Sequence, residues 1–174
     1  LRLNNKLVFE EVLVTAEKRT ESLQDLSQAI TVLNGEDLDN RQISTFVDIS
    51  AIAPGVNIAK NEGFKTVITI RGVGYETNQN AIATPSVSYN LDGIYVASPY
   101  SLQTDFMDLE RIEVLRGPQG TLFGQNSTGG AINVITASPS TDSAFGSADL
   151  TVGDYGLAKF RASYNMPLSD DLAI

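Results

Sequence analysis

The stretch Leu109, Glu110, Arg111, Ile112, Glu113, Val114, Leu115, Arg116, Gly117, Pro118, Gln119, Gly120, Thr121, Leu122, Phe123, Gly124, resumed by Gly129, Gly130, Ala131, Ile132, Asn133, Val134, Ile135, Thr136, sets two short runs of branched aliphatic residues on either side of a glycine-rich connection. The runs at 111–115 and 131–136 have the length and β-branched content of strands. The connection between them invites a phosphate-loop reading, but it lacks the Lys followed by Ser or Thr that such a loop needs. Arg71, Gly72, Val73, Gly74 also follows a strand-like run, yet no third glycine and no helical pattern complete a dinucleotide fingerprint. Backbone turns and close packing account for these glycines better.

Outward from this centre the elements stay short. A strand is expected at 29–33, and Asn34 offers an N-cap to a helix over 36–41 whose first turn is acidic, as the helix dipole prefers. Ser44 caps a second helix through Phe46, Val47, Ile49 and Ile52, which Pro54 and Gly55 stop. Strands follow at 56–59, 66–71 and 86–91. Asp92 and Gly93 supply the positive φ angles of a tight hairpin before Ile94, Tyr95 and Val96 return. Loops are read at 60–64, 75–80 and 97–103, and a short helical piece near 106–109.

The two ends differ from the middle. Residues 10–16 form an extended, β-branched run on a charged tether; such a run must join a sheet, either as an edge strand of this domain or on a partner. At the other end, Ser147, Asp149 and Thr151 alternate with Ala148, Leu150 and Val152, and Lys159, Arg161 and Ser163 alternate with Phe160, Ala162, Tyr164 and Met166. That strict period of two describes an amphipathic hairpin, packed on a soluble core or set in a membrane barrel.

The 174 residues carry 12 Lys and Arg against 21 Asp and Glu, a net charge of −9 with no basic stripe, so nucleic acid is not expected as a partner. His and Cys are both absent, which removes the commonest general base, the thiol nucleophile, most zinc sites and any disulfide. No enzyme activity and no cofactor are expected. No apolar run is long enough for a spanning helix, no signal peptide is evident, and the terminal residues 170–174 read as the start of a further element, so a fragment is expected. Asp105, Asp108, Glu110 and Glu113 do not match a calcium loop and read as a solvated acidic surface. Arg116 shares a face with Ile112 and Val114 in period two; it either pairs with a carboxylate or snorkels to water from the strand end, and Arg71 closes another strand similarly.

The whole 109–136 stretch closely resembles the plug domain of TonB-dependent outer-membrane receptors, and Ile70-Arg71-Gly72, Leu91-Asp92-Gly93-Ile94-Tyr95-Val96 and Pro54-Gly55-Val56 fall in that family's order. The similarity covers about residues 10–140. It implies an α+β plug domain, a small mixed β-sheet with short helices and long loops, followed by a β-hairpin belonging to a truncated transmembrane β-barrel. The division implied is 1–21 as a flexible N-terminal segment, 22–140 as plug and 141–174 as the first barrel strands.

The resemblance further implies that Glu11, Val12, Leu13, Val14, Thr15 and Ala16 form the TonB box, which adds as a strand to the periplasmic domain of TonB. Arg71 and Arg116 match the plug arginines that meet glutamates on the inner barrel wall, a latch holding plug to the chain's own C-terminal barrel. Ala148, Leu150, Val152, Phe160, Ala162, Tyr164 and Met166 would face outer-membrane lipid. Outward loop tips would place Phe64, Tyr75, Asn78, Gln79, Tyr100 and Gln103 against substrate. The expected function is uptake of a scarce nutrient, a ferric siderophore foremost, with vitamin B12, haem or oligosaccharide as alternatives. A soluble periplasmic binding or interaction module is the rival reading.

Overall fold

The computed structural model describes residues 13–14, 21–22, 29–41, 43, 45–61, 65–74, 85–98, 106 and 108–174. Two residues, Leu13–Val14 (β1), pair antiparallel with Glu21–Ser22 (β2) and stand apart from the larger sheets. Ala29–Asn34 (β3) leads into the helix Gly35–Asn40 (α1), and a 3-10 helix spans Phe46–Ala51. The next three strands, Val56–Asn61 (β4), Lys65–Ile70 (β5) and Val73–Gly74 (β6), make an antiparallel sheet of their own. Val87–Leu91 (β7), Ile94–Tyr95 (β8), Leu109–Arg116 (β9), the one-turn helix Gly120–Phe123 (α2) and Gly130–Thr136 (β10) complete this unit.

The main sheet has the order β3-β9-β10-β7-β8. It is mixed, because β10 runs parallel to β7 while β3–β9, β9–β10 and β7–β8 are antiparallel. The hairpin between β7 and β8 turns on Asp92 and Gly93, at φ 48° and 79°, the positive pair that matches strand twist. One face of the sheet carries Leu33, Val87, Tyr89, Ile112, Val114, Ile132 and Val134 into a core shared with Leu38 of α1, Phe46 and Ile49 of the 3-10 helix, and Ile58, Ile68 and Ile70 of the second sheet. Phe46 meets Tyr89 edge-on at 5.0 Å and Phe106 at 6.1 Å. Burial, reinforced by the charge of Asp92, raises the Tyr89 pKa, so this ring enters the core as a neutral phenol.

Local chemistry explains where the elements depart from expectation. The 3-10 helix is capped by Thr45, whose hydroxyl and backbone N–H both donate to Asp48 at 2.8 Å in a capping box, rather than by Ser44, which lies outside the described residues. The helical piece expected near 106–109 is not one: Asp108 has φ 51° and Leu109 already opens β9. β4 runs on to Asn61, beyond the expected 59, and Arg71 sits in a turn at φ 53° just after β5.

Beyond the main sheet, Phe145–Val152 (β11) and Ala158–Asn165 (β12) pair over eight positions, and Pro167–Ser169 (β13) with Leu172–Ala173 (β14) form a smaller hairpin. The alternation read from the sequence shows in β12, where Phe160, Ala162 and Tyr164 are exposed and Lys159, Arg161 and Ser163 half-buried, whereas β11 is exposed along its whole length.

Gly130 is buried where neighbouring strands approach closely. At φ 150°, a Cβ there would lie 2.3 Å from the Leu115 carbonyl oxygen and 2.8 Å from the Ile70 Cδ1. Gly130→Ala is expected to destabilise the plug by about 1–3 kcal/mol, as overpacking does, while Gly120→Ala, with nothing within 4 Å, stays within about 0.5 kcal/mol; urea unfolding midpoints check both.

Candidate functional site

The second face of the main sheet carries a buried polar row beside a small apolar cluster around Leu115 and Ala131. Glu113 on β9 is fully buried, which corrects its expected place on a solvated acidic surface. Its Oε1 accepts from the Arg111 Nε at 2.9 Å, and its Oε2 accepts from the Asn133 Nδ2 at 3.3 Å. Asn90 donates its Nδ2 to the Asn133 Oδ1 at 3.1 Å. Glu113, Asn133 and Asn90 stand opposite one another in register, so β9, β10 and β7 contribute one polar row. Arg111 also contacts Glu110 at the exposed edge. The sequence signal for this row was an Arg and a Glu two apart on one strand, which period two places on the same face.

Of the two arginines singled out from the sequence, Arg116 ends β9 in the main sheet and Arg71 follows β5 in the second sheet. Arg116 closes β9 opposite Gly130, and Ile70, next to Arg71, packs on Gly130. Arg71 is exposed and its backbone N–H donates to the Gly55 carbonyl at 2.7 Å. Arg116 is half-buried; its guanidinium donates to the Thr31 hydroxyl, while its Nε is buried and has no hydrogen-bond partner among the described residues. Among the described residues neither arginine pairs with a carboxylate. Of the proposed TonB-contacting residues, Leu13 and Val14 form β1, and Glu11, Val12, Thr15 and Ala16 lie outside the described residues. Phe64, Tyr75, Asn78, Gln79, Tyr100 and Gln103 also lie outside them.

A cleft of about 550 Å³ separates α1 from the polar face of the β11–β12 hairpin, lined in part by Glu36, Asp39, Glu110, Asp149 and Arg161. Arg161 reaches the Phe106 carbonyl at 3.5 Å and Asp39 at 3.9 Å, contacts too long and too exposed to bind strongly. The apolar face of the hairpin points away from the plug, so it is not packed on the core as a soluble module would require.

The connector between plug and hairpin is tied more firmly. Asp92 accepts from the Thr136 backbone N–H at 2.9 Å and from its hydroxyl at 3.0 Å, and the Ala137 N–H donates to the Asp108 carbonyl at 2.8 Å. Asn165 on β12 is buried; it accepts from the Ser140 N–H and donates to the Ser140 and Ser143 carbonyls at 2.8–2.9 Å.

The family model of the TonB-dependent receptor plug domain matches residues 22–131. The chain belongs to the TonB-dependent receptor plug family. Within it, the pesticin receptor of Yersinia pestis is 32% identical over 168 residues, which cover 92% of this chain and 24% of that protein. The iron-regulated outer membrane virulence protein of Vibrio cholerae is 33% identical over 134 residues, 73% of this chain and 20% of that protein. Among solved structures, the ferric yersiniabactin uptake receptor FyuA of Yersinia pestis superposes with a TM-score of 0.74 at 25% identity over 83% of this chain and 22% of that one. The Pseudomonas aeruginosa receptor FpvA shares the fold, with a TM-score of 0.75 at 21% identity over 91% of this chain and 20% of that one. This plug chain thus spans about a quarter of the length of the curated relatives it matches.

Removing the carboxylate of Glu113 leaves Arg111 and Asn133 facing an apolar gap. Glu113→Ala is expected to cost about 3–5 kcal/mol and Glu113→Gln clearly less, since Gln keeps the shape and one acceptor; equal losses in urea unfolding would show that the carboxylate contributes only volume.

Proposed function

We propose that this chain is the plug and energy-coupling part of an outer-membrane receptor that imports a scarce nutrient, a ferric siderophore foremost, at the expense of energy delivered through TonB. The observation that carries this reading is the join of two unlike units. A mixed-sheet plug continues into a hairpin that turns its polar face to the plug and its apolar face outward. An apolar outer face and a polar lumen face are what a strand of a barrel wall in lipid requires. Residues 1–21 act as the coupling segment, 22–140 as the plug and 141–174 as the first wall strands. The relative named as a ferric yersiniabactin uptake receptor supports the choice of an iron-carrying ligand.

Glu11, Val12, Leu13, Val14, Thr15 and Ala16 serve as the strand that adds to the periplasmic domain of TonB. Among the described residues β1 and β2 pair over two residues outside the main sheet, a ladder short enough for a partner strand to displace. Arg71 and Arg116 hold the plug to carboxylates of the inner barrel wall; a half-buried guanidinium with an unpaired Nε is stabilised by such an acceptor. Phe64, Tyr75, Asn78, Gln79, Tyr100 and Gln103 provide rings and polar groups for a large ligand at the outer loop tips.

Calorimetric titration of the chain with purified TonB periplasmic domain tests this function. Binding is expected, and Val14→Pro, which removes one backbone donor from the added strand, is expected to abolish it. Absence of binding by the unaltered chain would return residues 10–16 to an internal strand and remove energy coupling from the account.

A further inference from the structure

Thr31 and Arg116 are diagonal neighbours across the first strand pair of the plug. Ala29 stands opposite Arg116 and Thr31 opposite Val114, so the two side chains rise on the same face of the sheet two positions apart. Ala29 is small and exposed, which leaves the long Arg116 side chain room to lie back across β3 and donate to the Thr31 hydroxyl. The Nε remains buried and unpaired among the described residues. The guanidinium is thus oriented by one hydroxyl, and that hydroxyl belongs to a different strand.

That strand is the one a pull on the N-terminal segment reaches first. β3 is at the edge of the main sheet, with β9 as its single neighbour. It is the first strand of that sheet in chain order, and its first pair, Ala29 with Arg116, is where opening from the N-terminal side begins. At the opposite end of the plug the chain leaves through Thr136 and Ala137, held by Asp92 and the Asp108 carbonyl, and through Ser140 and Ser143, held by Asn165. A load applied at the N-terminus therefore acts between a strand held along one edge and an exit fixed by a set of polar ties.

We propose that Thr31 is a positioning residue through which the docking of β3 is coupled to the latch arginine Arg116: with β3 in place the guanidinium is held, and drawing β3 off β9 releases it. This rests on the reading of Arg116 as a plug-to-barrel latch. Coupling of this kind is reciprocal, so whatever the Thr31 hydroxyl contributes to the placement of Arg116, Arg116 contributes equally to keeping β3 docked.

The test uses the complete receptor and hydrogen exchange of the peptide covering residues 29–34. Thr31→Val, which keeps the shape and strand preference but removes the hydroxyl, is expected to speed exchange there about tenfold, as loss of a hydrogen bond to a charged group does. Thr31→Ser is expected to restore the slow rate. In an Arg116→Gln background Thr31→Val is expected to add nothing further, which a merely structural role of Thr31 would not produce. The same acceleration in both backgrounds, or none in either, would overturn the coupling. The latch is read separately, from the urea concentration at which the plug leaves the barrel: Arg116→Gln should lower it. If Arg116→Gln leaves it unchanged, the latch and the coupling fall together; if Arg116→Gln lowers it but Thr31→Val does not alter exchange, the coupling alone falls.

Discussion

The buried carboxylate of Glu113 is the constraint around which the plug is arranged. β9 is closed on both faces: Ile112 and Val114 enter the apolar core, and Glu113 and Leu115 are equally removed from water on the other side. A buried charge is tolerated only with partners, here Arg111 on its own strand and Asn133 on the next. Because strand side chains alternate, sliding β10 by one residue would move Asn133 to the core face and set Ile132 or Val134 against the carboxylate. The polar row therefore fixes the pairing of β9 with β10, and Asn90 extends the same restriction to the parallel neighbour β7. With that register set, Gly130 stands opposite Arg116, and Ile70, the last residue of β5, packs against Gly130.

The plug is held unequally along its length. Its entry passes from the short β1–β2 ladder of the described residues to an edge strand bonded on one side, whereas its exit is tied by the Asp92 and Asn165 side chains where the chain passes into the β11–β12 hairpin. Local opening favours regions with few buried contacts and one-sided hydrogen bonding, so the entry is the end suited to rearrangement. The loose contacts of Arg161 with Phe106 and Asp39, across a cleft rich in carboxylates, keep plug and first hairpin from fusing into one dry core.

Much of this was legible because local rules and tertiary packing agree. The Asp92-Gly93 turn, the strands of the 109–136 stretch and the alternating hairpin each follow from one period or one dipeptide and appear as read. The failures have physical reasons. Ser44 and Thr45 are both capping residue types, and the contacts of Thr45 with Asp48 are a detail of local geometry that the sequence pattern does not specify. The residues before β9 have a mixed pattern, and Asp108 at positive φ breaks the helix that they might otherwise start. Glu113 was read as solvated because period two says which residues share a face and nothing about what covers that face. The partner of Arg116 was open for the same reason: Thr31 is 85 positions away, and only the β3–β9 register makes them neighbours.

The central claim is that this plug sheet presents Arg116, at the end of its most buried strand, to a barrel wall that continues from β12. An experimental structure of the complete receptor tests it most directly. The account predicts the Glu113–Asn133–Asn90 row intact and the Arg116 Nε within hydrogen-bonding distance of a carboxylate on the inner wall. An Arg116 side chain directed to water, with no wall carboxylate in reach, would contradict it.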